Sequence, residues 1–153
     1  MYGVATTRFN NETYLENVNW RIKNNWDGCI YGVPMKIRDV FGEGCPLFII
    51  EMNNDENLIE GIGIIYNNVC TDKYYRIYKD GNYNRYTYKS KYRIDRDDFL
   101  EEDKKIVEKI EDVLFKGKGH CKRGQGISSI PKKQNILSLC NKIFKKWVKN
   151  KYT

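Results

Sequence analysis

The sequence has 153 residues, the usual size of one domain, and a formal net charge of +7. Its hydrophobic content of 41% and aromatic content of 14% suffice for a folded interior and exclude a disordered chain. No run approaches the roughly 20 apolar residues of a membrane-spanning helix, and residues 1–5 lack the start of a signal peptide. We therefore expect one intracellular domain, in the cytoplasm or nucleus, without a membrane partner.

The first part of the chain predicts a strand and then a helix. Residues 2–8 have the composition of a short strand. A helix is expected over residues 11–24, with Leu15, Val18 and Ile22 on one face. A loop punctuated by Gly, Asn and Pro follows over residues 24–34.

Two apolar runs, residues 46–52 and 58–66, flank the polar turn 53–57 and predict a buried β-hairpin. Gly61 and Gly63 lie inside the second strand, where they indicate a bulge or a place where another chain segment or a ligand comes close. Residues 74–78 and 84–94 predict two more strands around an Asp80-Gly81 turn. The expected result is a mostly antiparallel sheet of five or six strands.

The C-terminal part predicts two helices joined by a loop. Asp95 is expected to cap a helix that ends near Phe115 and buries Phe99, Ile106, Ile110, Val113 and Leu114. Residues 116–133 form a Gly-rich basic loop. The last helix, residues 134–150, carries an apolar stripe of Ile136, Cys140, Ile143 and Trp147.

The charge is concentrated at one end of the chain. Residues 113–153 contain eleven Lys or Arg and no Asp or Glu, whereas the preceding residues contain sixteen bases and twenty acids. A surface built for solubility mixes both signs, so this segregation favours a polyanionic partner, and nucleic acid first of all.

The basic loop is the first candidate site, because glycines free the backbone to approach phosphates while cations neutralise them. It lacks the spacing of a nucleotide-binding P-loop. The predicted phosphate-binding residues are Lys116, Lys118, His120, Lys122, Arg123, Gln125, Lys132 and Lys133. His120 is the single histidine and the candidate acid or base if the protein is an enzyme.

Aromatic residues near arginines are the second candidate site, because flat rings and guanidinium groups stack on nucleobases. The predicted base-binding residues are Trp20, Trp26, Asp27, Tyr31, Arg85 and Tyr86. The five cysteines are scattered and include no Cys-x-x-Cys pair, which is typical of free thiols. We expect no metal and no other cofactor.

The segment Trp26-Asp27-Gly28-Cys29, with Gly44 and the hairpin up to Ile65, resembles the PUA-like superfamily, especially its EVE and YTH branches. In EVE domains a Trp-x-Gly motif precedes a strand pair whose second member reads like Ile-x-Gly-Ile. The resemblance covers residues 2–66. It implies an α+β fold with a partly open, mostly antiparallel β-barrel over residues 1–95, flanked by about three helices. Such domains bind RNA or DNA, often with a modified base in an aromatic pocket, which Trp26 would border here.

This sequence departs from the EVE pattern after Gly28, where Cys29-Ile30-Tyr31 replaces the usual Val-Arg-Asn. The basic extension after residue 115 is not a hallmark of the family either. The Asn- and Tyr-rich composition additionally resembles that of uncharacterised proteins of large DNA viruses, for which the compartment would be the host cell.

Our leading hypothesis is a nucleic-acid-binding module and not an enzyme. The basic loop and last helix hold phosphates, and an aromatic pocket accepts a base, modified or unmodified. One alternative is a nuclease or nucleotide hydrolase that uses His120. Another is a protein that coats or packages nucleic acid without selecting bases.

Overall fold

The computed structural model describes residues 2–130 and 135–152, with the side chain of Tyr152 left out. Within these residues the chain forms seven strands and three α-helices. Their bounds are β1 Gly3–Phe9, α1 Asn11–Lys23, β2 Cys29–Val33, β3 Pro46–Asn53, β4 Leu58–Tyr66, β5 Tyr86–Ser90, β6 Tyr92–Asp95, α2 Glu101–Phe115, β7 Ser128–Ser129 and α3 Ile136–Tyr152. Three short 3-10 helices occupy Asp39–Phe41, Gly81–Asn84 and Arg96–Asp98.

The strands form a five-stranded sheet with the order β6-β4-β3-β1-β7 and a two-stranded sheet of β2 and β5. β1 and β3 are parallel, and the other pairs are antiparallel. The expected α+β fold with three helices and a mostly antiparallel sheet is confirmed. The described strands do not close into a barrel.

The predicted hairpin of β3 and β4 is confirmed, and so is the reason for its glycines. Glu51 lies opposite Gly61 while Met52 lies opposite Ile59, so Glu60 is an extra residue that makes a bulge. A Cβ atom on Gly63 would lie 2.5 Å from the Tyr31 hydroxyl. The absence of a side chain there lets β2 cross closely over β4.

The predicted strand over residues 74–78 is wrong, because a buried asparagine binds its backbone groups. The Asn84 side-chain oxygen accepts hydrogen bonds from the Ile77 and Tyr78 amides, at 3.1 and 2.9 Å. Its amide nitrogen donates to the Tyr78 carbonyl at 2.7 Å. The Asp80-Gly81 pair therefore leads into a 3-10 helix and not into a hairpin.

The single strand expected over residues 84–94 is two strands. The strand is interrupted at Lys91. As a result, β5 pairs with β2, and β6 pairs with β4. The Ser90 hydroxyl donates to the Ile64 carbonyl at this break, which fixes the point where the chain changes sheets.

The five-stranded sheet is the middle layer of the protein. One face, with Leu47 and Ile49, packs under the two-stranded sheet and α1. The other face, with Phe48 and Ile50, packs against α2 and α3. Successive strand residues point to opposite faces, so one hairpin supplies both cores. No helix among residues 2–130 and 135–152 has the length and apolar character needed to cross a membrane.

Helix α1 turns a different face inward from the one its apolar residues indicate. Leu15 and Ile22 are 58% and 69% exposed, whereas Asn17 is buried. The Asn17 amide donates to the Ile30 carbonyl at 2.8 Å and to the Tyr78 hydroxyl at 3.1 Å. A polar contact therefore sets the helix rotation. In α2, Val113 is also more exposed than expected, at 39%.

Helix α3 buries the expected side. Ile136, Cys140 and Ile143 are buried, and Trp147 packs at the edge of the same core. The predicted start of this helix at Gln134 lies outside the described residues. Lys146 turns toward α2, where its Nζ lies 3.1 Å from the Asp103 carboxylate.

A buried ion pair between β6 and β3 joins the five-stranded sheet to β2 and α1. The Arg93 Nη2 lies 2.7 Å from Glu51 Oε1, and both side chains are nearly inaccessible to water. Burial alone would lower the pKa of Arg93, but the charge of Glu51 raises it above its ordinary value. The Tyr31 hydroxyl donates to Glu51 at 2.6 Å, and Arg93 donates to the Tyr14 hydroxyl at 3.0 Å. These bonds connect β2, α1, β3 and β6.

Candidate nucleic-acid interface

The first part of the basic loop, residues 116–126, is folded around a side chain from the first strand. Arg8 donates to the Cys121 and Gly126 carbonyls at 3.1 and 2.8 Å. It also donates to the hydroxyls of Thr6 and Ser128, each at 2.8 Å. The glycines thus let the loop turn carbonyl oxygens toward an arginine of its own chain.

Arg8 is a part-buried cation beneath the loop. Burial lowers its pKa from the ordinary value, and its hydrogen-bond partners within the described residues are neutral. Its Nε is buried and has no hydrogen-bond partner among those residues. The loop therefore carries positive potential from below as well as from its own lysines.

A cavity of about 400 Å³ lies beside this loop, and we call it the basic-loop cavity. This volume falls within the range of about 300–1,000 Å³ for small-ligand sites. One wall is formed by Lys122, Gly124 and Gly126 of the loop. The aromatic walls are Phe9, Tyr78 and Tyr83.

The start of α1 forms a polar wall of the cavity. Asn10 caps the helix by accepting a hydrogen bond from the Thr13 amide at 2.8 Å. Glu16 accepts a hydrogen bond from the Lys79 amide at 2.7 Å through Oε2. Its Oε1 has no hydrogen bond from the described residues, so a ligand with an N–H group can bind there.

Asn54 connects the hairpin turn to the loop at the cavity edge. Its amide donates to the Lys122 carbonyl at 2.9 Å. Its Oδ1 is buried and has no hydrogen-bond partner within residues 2–130 and 135–152. Together with Arg8 Nε, this oxygen is an unsatisfied polar atom of a residue that lines the cavity.

The predicted phosphate-binding residues are only partly brought together. Lys122 lines the cavity, while the others in the described part are on the loop surface: Lys116, Lys118, His120, Arg123 and Gln125. Lys116 pairs with Asp112 at 2.8 Å. His120 Nδ1 accepts a hydrogen bond from the Lys122 amide at 3.2 Å. Lys132 and Lys133 lie outside the described residues.

Trp20 and Trp26 belong to a second group of aromatic residues, the tryptophan cluster, which also contains Tyr75 and Lys89. The Lys89 ammonium lies 4.7 Å from the Trp26 ring centroid and 5.1 Å from that of Tyr75. The Trp20 and Tyr75 ring centroids are 5.9 Å apart. The Trp26 indole donates to the Cys29 carbonyl at 3.0 Å, and Asp27 is exposed beside it.

The remaining predicted base-binding residues lie in different surroundings. Tyr31 is 1% exposed, so a base can reach its ring only if the interior opens. The Arg85 guanidinium lies 5.7 Å from the Tyr86 ring centroid. Tyr86 pairs with Val33, which lines the basic-loop cavity. Arg85 and Tyr86 are therefore near the cavity, and Trp20 and Trp26 do not line it.

Sequence reasoning did not select Arg8, Phe9 or Tyr83 for this site. An arginine near the end of the first strand carries no local signal of its role, because its partners in and after the loop lie more than a hundred positions later. Tyr83 belongs to a Tyr-rich segment, and its neighbours do not distinguish it from packing tyrosines.

Comparison with protein-family models, curated proteins and solved structures gives no match for this chain. Within the described residues, no group of three or more His, Cys, Asp or Glu side chains is placed to hold a metal ion. The function must therefore be inferred from the geometry of the chain itself.

Proposed function

We propose that this protein binds nucleic acid, with one base in the basic-loop cavity and the adjoining phosphates on the basic loop. The observation that carries the proposal is the composition of the cavity lining. Tyr83 and Lys122 line the same space, so an aromatic ring and a phosphate-binding cation are available to one nucleotide.

Electrostatics support the same partner. Residues 113–153 hold eleven cationic side chains and no carboxylate. Each phosphate contact releases counterions, so affinity for nucleic acid must fall steeply with salt. Arg8, although bound to the loop, adds a cation that cannot leave the site.

We further propose that the fold is PUA-like, of the EVE or YTH type, and that the source is a large DNA virus, with the host cell as the compartment. The order β1, α1, β2 and hairpin supports the fold assignment, and the Asn- and Tyr-rich composition supports the viral source. The Trp26-Asp27-Gly28 motif leads directly into β2, and a Cβ on Gly28 would overlap the Ser90 carbonyl of β5. The motif glycine thus allows β2 and β5 to approach, as a partly open barrel requires.

The test is fluorescence anisotropy with labelled oligonucleotides of about four nucleotides, in RNA and DNA form, over a salt series. We expect Lys122→Gln to weaken binding and to reduce the slope of log affinity against log salt by about 0.7, the value for one phosphate contact to a single strand. Tyr83→Leu should weaken binding about five- to tenfold or more, through lost stacking. Lys105→Gln, an exposed lysine of α2, is the matched control and should change neither quantity.

Salt-independent binding by the parent protein would contradict the phosphate part of the proposal. Unchanged affinity in Tyr83→Leu would contradict the base-binding part and favour non-selective coating. Cleavage of the oligonucleotide by the parent that is lost in His120→Ala would instead favour the nuclease hypothesis.

A further inference from the structure

A second groove lies at the opposite end of β1 from the basic-loop cavity. Its volume is about 450 Å³, and it runs between the five-stranded sheet and α3. Tyr2, Tyr66 and Tyr92 contribute from the sheet side, and Phe144, Lys145 and Val148 from the helix. We call it the tyrosine groove.

The tyrosine groove exposes aromatic surface that the fold does not cover. Tyr2 and Tyr66 are 43% and 50% exposed, and Val148 is 40% exposed. The Tyr2 ring stacks on Phe48 with centroids 5.1 Å apart, so its outer face is held in place by the core. Contiguous exposed apolar patches usually mark an interaction site.

The rim of the groove is cationic. Lys145 lines it, and the Lys91 ammonium lies 5.4 Å from the Tyr92 ring centroid. Lys142 is exposed one turn before Lys145 on α3. Of the described residues that line the groove, none carries a carboxylate. An occupant with negative charge and flat apolar groups is therefore complementary to it.

We propose that the tyrosine groove is a second nucleic-acid-binding site, in which bases of a single strand stack on the tyrosines and phosphates contact Lys145 and Lys142. This inference rests on the proposed function. An acidic peptide matches the charge equally well. The aromatic surface favours nucleic acid, because every base has a flat face that can stack on a tyrosine ring.

The two sites lie near opposite ends of β1 and on opposite faces of the five-stranded sheet, since Phe9 and Val33 belong to one core and Phe48 and Phe144 to the other. Seven residues of a strand span about 23 Å, so a short oligonucleotide bound in the cavity cannot touch the groove, whereas a longer one that passes around the sheet reaches both. Binding by the tyrosine groove therefore adds affinity for long single strands alone. This dependence on length distinguishes the groove from the basic-loop cavity.

The experiment compares labelled oligo-uridine and oligo-thymidine of about 4 and about 16 nucleotides, the limits of common single-strand site sizes. We expect Tyr66→Leu to weaken binding of the long oligonucleotide about fivefold or more and to leave the short one unchanged. Tyr66→Phe keeps the ring and should bind like the parent. Lys145→Gln should lower the salt slope for the long oligonucleotide by about 0.7.

Parent-like binding of the long oligonucleotide by Tyr66→Leu would overturn the proposal, as would equal losses in Tyr66→Leu and Tyr66→Phe. The proposal is also overturned if Tyr66→Leu still binds the long oligonucleotide but no longer binds polyglutamate or phosphatidylserine vesicles. If the parent binds neither length, the proposed function itself fails. If the parent binds both and Tyr66→Leu is unaffected, only the second site fails.

Discussion

Arg8→Met removes the side chain around which the basic loop is folded, and we expect a loss of both stability and loop order. Two backbone carbonyls and two hydroxyls lose their donor. An unsatisfied buried carbonyl costs about 1–3 kcal/mol, so the two carbonyls together give about 2–6 kcal/mol. Because these bonds are only part-buried, water replaces some of them, and we expect a destabilisation of about 2–3 kcal/mol.

Urea denaturation measures this free energy, and trypsin cleavage after Lys122 and Arg123 measures loop order. Arg8→Lys keeps the charge but not the several hydrogen-bond donors of the guanidinium group, so it should lower the free energy of unfolding by less than Arg8→Met does. Arg76→Met makes the same chemical change at an exposed position and should alter stability by no more than about 0.5 kcal/mol. Parent-like stability and parent-like cleavage of Arg8→Met would refute the idea that Arg8 holds the loop.

Two further changes test the packing of β2 over β4. Gly63→Ala places a methyl group 2.5 Å from the Tyr31 hydroxyl and should cost about 1–3 kcal/mol in thermal or urea unfolding, whereas Gly81→Ala, with no atom nearer than 3.9 Å, should be nearly neutral; equal effects would contradict the close crossing. Burial raises the pKa of the Cys29 thiol to about 11. Between about pH 9 and 11 the unfolded chain loses this proton and the folded protein keeps it, so stability falls by about 1.4 kcal/mol per pH unit. In Cys29→Ala the decrease in the free energy of unfolding that comes from ionisation of this thiol should be absent. If parent and variant differ in stability by the same amount at pH 8 and at about pH 10.5, the Cys29 thiol does not contribute to the alkaline decline.

The elements that sequence predicts correctly are those determined by neighbouring residues. The β3–β4 hairpin follows from two apolar runs and a turn rich in Asn and Asp, and all of its determinants lie within residues 46–66. The glycines of β4 even indicated the close approach of another chain segment. The α3 stripe is likewise local, since it repeats at helical spacing.

The features that sequence misses depend on distant polar contacts. Asn84 binds the backbone of residues 77 and 78 and prevents a strand there. Asn17 turns α1 so that Leu15 remains exposed, because its amide binds β2. Neither local propensity nor hydrophobic periodicity carries information about hydrogen bonds between distant residues.

The candidate site is predicted in composition but not in arrangement. The basic loop was identified from its glycines and cations, yet its carbonyls bind Arg8, which precedes them by 118 positions in the case of Gly126. The basic-loop cavity combines β1, α1, β2, the β3–β4 turn, residues at the 3-10 helix before β5, and the loop. A cavity made by segments so distant in sequence exists only after the fold has formed.

The position of β1 in the sheet has a consequence for cotranslational folding. β1 lies between β3 and β7, so a strand that is synthesised before both of its partners pairs with residues 47–53 on one side and with residues 128 and 129 on the other. The β3–β4 hairpin can form from adjacent segments, but β1 must wait for both of its neighbours. The edge of β1 that pairs with β7 therefore stays open until the basic loop and β7 have emerged.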